Sequence, residues 1–132
     1  NEPMTLQYIS SPNQTKGKLI DDDIGRSLHF NQTLELFSYS KQVGDLQILH
    51  SFNPKTSETK SLTPLPNNNQ DYTWLNDQTV ISASGSVIYQ WRYGQSKNWQ
   101  VFADLTKQCS TQISRLAVND DQTKLAFVCD EE

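Results

Sequence analysis

The chain has 132 residues, 35% of them hydrophobic, with 11 basic and 15 acidic residues for a net charge of −4. One domain accounts for that length; no apolar run is long enough for a membrane helix, and there is no basic excess of the kind that nucleic acid attracts. Asn, Gln, Ser and Thr supply 48 residues in place of the missing apolar ones, yet three Trp, five Tyr, five Phe and regular apolar clusters exclude a disordered chain.

In chain order, the apolar segments are short and alternate with polar residues, which is the period of a half-buried strand. Strands are expected at LQYISS from Leu6 and GKLI near Leu19, then at Arg26-Ser27-Leu28-His29-Phe30. LELFSYS from Leu34, LQILHSF from Leu46 and ETKSLT near Leu62 follow. The next set is Asp71-Tyr72-Thr73-Trp74, VISAS from Val80, VIYQWRY from Val87 and WQVFADLT near Val101. The last two are Arg115-Leu116-Ala117-Val118 and KLAFVC from Lys124. Polar turns separate them, and no segment carries a helical stripe. Cys109 and Cys129 fit no zinc spacing. One disulfide between them needs an oxidising compartment; two free thiols are the favoured reading, because Cys109 falls before its strand begins.

The strands repeat. Ser27 to Asp71 is 44 residues, and Asp71 to Arg115 is 44 again. Each copy runs apolar pair, polar turn and second strand; the first two go on to a third strand, a polar turn and a short fourth strand, and such a third and fourth strand also open the chain. Four strands in 40–45 residues is the pattern of a β-propeller blade, so the expected class is all-β, in blades of four antiparallel strands. The boundaries are 1–23 for the outer strands of a first blade, 24–67 and 68–111 for two full blades, and 112–132 for the inner strands of a fourth. Three blades' worth cannot close a ring. The expected partners are therefore a second copy closing a six-bladed homodimer, or a missing N-terminal half of the same propeller. The start at Asn1 and the half-blade phase favour a piece of a longer chain.

The stretches IGRSLH from Ile24, DYTW from Asp71 and ISRLAVNDDQTKLAFV from Ile113 resemble the TolB-like six-bladed propellers. The likeness covers the chain as the C-terminal half of such a propeller. It departs from the family pattern at Asn119-Asp120-Asp121-Gln122, where Ser-Pro-Asp-Gly is usual. The resemblance implies a periplasmic or extracellular location and no particular activity.

The residues carry no catalytic motif. No serine sits in G-x-S-x-G, and there is no glycine-rich phosphate loop. His29 and His50 fall on different strands of the repeat, so no metal site is expected, and no cofactor. Asp21-Asp22-Asp23 lacks the spacing of a calcium loop and reads as a solvated loop between blades. Tyr89, Trp91 and Tyr93 alternate on one strand, either as packing between blades or as a stacking platform for a sugar or peptide. The core is expected from Leu28, Phe30, Leu36, Tyr72, Trp74, Val80, Ile88, Leu116, Leu125 and Phe127. First strands line a propeller's channel, so Arg26, His29, Asp71 and Arg115 are the candidate binding residues at the channel mouth, with salt bridging between blades as the plainer alternative. The expected function is a non-enzymatic module that binds a protein, peptide or glycan. The alternatives are a propeller accessory to a hydrolase or peptidase in a longer chain, and a periplasmic sensor of a membrane-bound regulator.

Overall fold

The computed structural model describes residues 4–131. Eleven strands run in order: β1 (Met4–Tyr8), β2 (Lys18–Asn31), β3 (Leu36–Val43), β4 (Leu46–Asn53), β5 (Glu58–Pro64), β6 (Thr73–Trp74), β7 (Thr79–Ser84), β8 (Val87–Arg92), β9 (Gln100–Asp104), β10 (Ile113–Val118) and β11 (Leu125–Cys129). One turn of 3-10 helix, Pro66–Asn68, joins β5 to β6. The protein is all-β, and every described strand pairing is antiparallel. Sheet I holds β1 to β5, sheet II holds β6 to β9 and sheet III holds β10 and β11, each in chain order. No helix among the described residues is long and apolar enough to cross a membrane.

Local chemistry sets the turns. Val43 pairs with Leu46 and Ser84 with Val87, leaving two-residue loops that begin at Gly44 and Gly85. Both glycines have φ of 60°, a conformation that side chains resist and that two-residue hairpins require. Asparagine caps the preceding turn in each sheet. Asn31 Oδ1 accepts from Leu34 N–H at 3.0 Å, Asn76 Oδ1 from Thr79 N–H at 3.0 Å, and Asn119 Oδ1 from Lys124 N–H at 2.8 Å. These are side-chain substitutes for a backbone turn bond.

Two apolar layers join the sheets. Between sheets I and II lie Leu49, Leu65, Tyr72, Val80 and Trp91, flanked by Leu62, Trp74, Tyr93 and Trp99. Between sheets II and III lie Ile81, Ala83, Ile88, Ile113 and Leu116, with Val118 and Leu125 at the margin. Within the first layer Ser38 Oγ meets Tyr72 Oη at 2.9 Å and accepts from Trp74 Nε1 at 2.9 Å. Trp91, Tyr93 and Trp99 thus serve packing, with Trp91 ring contacts of 6.1 and 6.4 Å to the other two.

Four sequence expectations are corrected. Asp21, Asp22 and Asp23 are not a loop, because β2 runs through them as one continuous strand from Lys18 to Asn31. Their charge is drawn into pairing: Lys41 Nζ binds the carboxylates of Asp21 and Asp22, and Tyr39 Oη donates to Asp21 at 2.6 Å. The pairing of β2 with β3 slips between Ile24 and Leu28, and at Gly25 a Cβ would lie 2.1 Å from Ser40 Oγ, so any side chain there would force Ser40 to move. Leu28, Phe30 and Phe127 are not core; they are 50%, 53% and 37% exposed. Trp74 and Leu125 are half-buried. Cys109 and Cys129 are not free thiols but a disulfide with Cα atoms 5.8 Å apart. Cys109 does precede its strand. A tight turn folds that segment back, with Cys109 N–H donating to Leu105 O at 2.8 Å and Ser86 Oγ to Cys109 O at 2.6 Å, which sets it beside the end of β11.

Candidate functional site

The inner strands of the three sheets are the second half of β2, β6 with its lead-in, and β10. Where they begin, polar residues occupy successive positions, whose side chains point to alternate sides of the strand. A cavity of about 290 Å³ opens there, lined by Arg26, Ser27, Asn69, Gln70, Asp71, Ser114 and Arg115. Six of the seven occupy two successive positions in three segments spaced by 44 residues: Arg26, Gln70 and Ser114, then Ser27, Asp71 and Arg115.

Asp71 is the fixed point of this cavity. Its Oδ2 accepts from Leu116 N–H at 3.0 Å, tying the start of β6 to β10, and its backbone carbonyl accepts from Ser82 Oγ at 2.7 Å. Burial pushes the Asp71 carboxyl above its ordinary value, while the Leu116 N–H, Arg115 and His29 pull it down. Arg26 and Arg115 are exposed, and among the described residues neither guanidinium is in a salt bridge.

The structure therefore brings Arg26, Asp71 and Arg115 together and leaves His29 out. His29 is half-buried against Tyr72, with ring centroids 4.9 Å apart and Nε2 3.2 Å from Tyr72 O. Burial lowers its pKa, against the raising effects of the Tyr72 hydrogen bond and the Asp71 charge. His50 lies on β4, with Nδ1 3.1 Å from Ile48 O. Asn69, Gln70 and Ser114 were missed by the sequence reading. Gln70 and Ser114 stand 44 and 88 residues after Arg26, so extending the repeat by one position finds them. Asn69 has no such cue; its Nδ2 donates to Ala83 O at 2.9 Å, across to β7.

Two more hollows flank this one. A polar one of about 250 Å³ is lined by Asn67, Asn69, Ser84, Gly85, Gln112 and Ser114 among others. An apolar one of about 310 Å³ lies beyond Arg115, against Leu116, Ala117, Ala126, Phe127 and Val128. Chemically, the central cavity offers two guanidinium groups, amide and hydroxyl groups, and a carboxylate already engaged by the backbone. That set suits recognition by hydrogen bond and charge. No protein-family model matches the chain, and neither a curated protein nor a solved structure matches it.

Proposed function

We propose that the protein is a non-enzymatic binding module built from β-propeller blades, and that it captures a carboxylate of a protein or peptide chain at the inner-strand cavity. The observation that carries this is the convergence of Arg26 and Arg115, without salt-bridge partners among the described residues, on one polar cavity where the Asp71 carboxylate is already held by the Leu116 N–H. Arginine's planar fork matches a carboxylate with two parallel hydrogen bonds. A peptide is favoured over a glycan because Trp91 and Trp99, which a sugar would stack on, are taken up between sheets I and II.

The propeller reading is supported by consecutive strand order in each sheet, by face-to-face packing of the sheets, and by the likeness of the segments at Ile24, Asp71 and Ile113 to TolB-like propellers. The Cys109–Cys129 disulfide supports a periplasmic or extracellular location.

The test is an array of peptides with acidic side chains and free C-termini, probed with the wild-type protein and with an Arg26→Ala/Arg115→Ala double variant. Capture of acidic peptides, weakened about tenfold or more (~1.4 kcal/mol) in the double variant, is the expected outcome. A blank array, or peptides held equally by both proteins, would refute the reading.

A further inference from the structure

The two ends of the sheet stack are each half covered, and in opposite halves. At the N-terminal end, β1 and the first half of β2 fold across the outer face of sheet I, where Leu6 packs with Tyr39 and Phe52. Tyr8 reaches the same face, 5.3 Å from the ring of Phe52. That cover stops short of the inner strand, where Leu28 and Phe30 stand out at 50% and 53% exposure. At the C-terminal end the cover is the reverse. Among the described residues sheet III has an inner pair alone, β10 and β11. One side packs on sheet II; the other shows Ala117 and Ala126, which pair across the ladder, and Val128 at 49% exposure.

We propose that a second copy of this chain docks on both ends, so that β11 of one copy pairs with β1 of the other. Four observations select that occupant. First, each end lacks the strand pair that the opposite end supplies: β10–β11 followed by β1 and the first half of β2 makes one four-stranded antiparallel unit, like β6 to β9. Second, both meeting edges are outermost strands among the described residues, β1 in sheet I and β11 in sheet III, with their backbone groups available for addition. Third, shape matches: the large Leu28 and Phe30 side chains of one copy face the hollow of about 310 Å³ over Ala117 and Ala126 of the other. The contact continues a packing mode the chain uses twice internally, sheet face on sheet face. Fourth, the disulfide pins the free hairpin to sheet II, so its edge is held in place before a partner arrives.

The junction is head-to-tail, so the rotation it imposes decides whether it closes or grows. The described strands of each chain make three four-stranded units when the shared one is counted once. Two copies give six, inside the range of about four to eight that closed propellers use, and three copies give nine, outside it. Closure at two copies also brings a second Arg26, Asp71 and Arg115 around the same axis.

The experiment is light scattering on a sizing column over a range of concentrations. The expected mass is twice 15.1 kDa for the wild type. Ala126→Lys and Phe30→Glu each change an exposed residue and should each give the single-chain mass, with the β-sheet circular dichroism of the wild type. Combined in one chain, the two opposite charges meet across both junctions, and the double mass should return. Overturning results are a wild-type mass of one chain at every concentration, which would assign these faces to a different polypeptide; a mass that grows beyond two chains; or a dimer that survives both single substitutions.

Discussion

His29 shows how one residue's chemistry is set by its neighbours. Its ring sits on Tyr72 at the junction of sheets I and II, and burial lowers its pKa below the ordinary value of 6.5. The native state therefore resists the protonated form that the unfolded chain accepts. The stability that neutral His29 supports is full above about pH 6.5 and is lost as pH falls from there through its lowered native value. Asp21 acts in a lower window. Burial works to raise it, yet Lys41 and Tyr39 hold it below the usual carboxylate value, so its contribution is present above that value and lost only beneath it. Thermal melts by circular dichroism should fall in midpoint as the pH drops from about 7 to about 5. A His29→Gln variant should flatten that slope; an unchanged slope would remove His29 as its source. The sequence marks His29 as an inner-strand residue, but strand alternation alone does not say whether a polar side chain meets solvent or a tyrosine of the next sheet.

At the level of the element, the turns were the most legible part. Asn31, Asn76 and Asn119 stand at the same place in three turns, and each lends its side-chain oxygen to the backbone that follows. They are not equal in weight. Asn31 is 6% exposed and also donates through Nδ2 to Asp77 O at 2.9 Å, joining sheet I to the turn of sheet II. Asn119 is exposed, and its bonds stay within its own turn. Asn31→Ala should therefore cost about 1–3 kcal/mol by leaving buried polar groups unpaired. Asn119→Ala should cost about 1 kcal/mol or less. Urea midpoints of the two variants give the comparison, and equal losses would mean that the Asn31 link between sheets contributes nothing. What local patterning did not reveal is the fusion of two expected strands into β2. Asp21 to Asp23 look like a solvated loop in isolation; Lys41 and Tyr39, on the neighbouring strand, hold Asp21 in the sheet.

At the scale of the whole molecule, sheet III depends most on a covalent tie. Among the described residues it has two strands and packs on one side, and its strand β11 ends at Cys129, which the disulfide fastens to Cys109 across 20 residues of sequence. Closing a loop of that size stabilises a fold by about 2–4 kcal/mol. A Cys109→Ser/Cys129→Ser variant should lose that amount in chemical denaturation. Hydrogen exchange should quicken in β10 and β11 before it does in β3, β4, β7 or β8. Uniform quickening across all sheets would show instead that the molecule opens only as one unit.

The sequence by itself determined the all-β class, the order and approximate bounds of the strands, the polar turns, and the positions 44 residues apart that meet in the central cavity. These follow from short-range causes: side chains alternate every two residues along a strand, and glycine and asparagine act on the backbone within a few positions. The tertiary structure alone decided which face of each strand is covered. Leu28, Phe30 and Phe127 have the pattern of core residues and are exposed, because burial depends on a neighbouring layer rather than on the strand's own period. It likewise decided that Cys109 meets Cys129, that His29 turns to Tyr72, and that Asp71 is held by the Leu116 N–H. Each of these contacts joins residues 20 to 45 positions apart, and such pairings exist only once the sheets have packed.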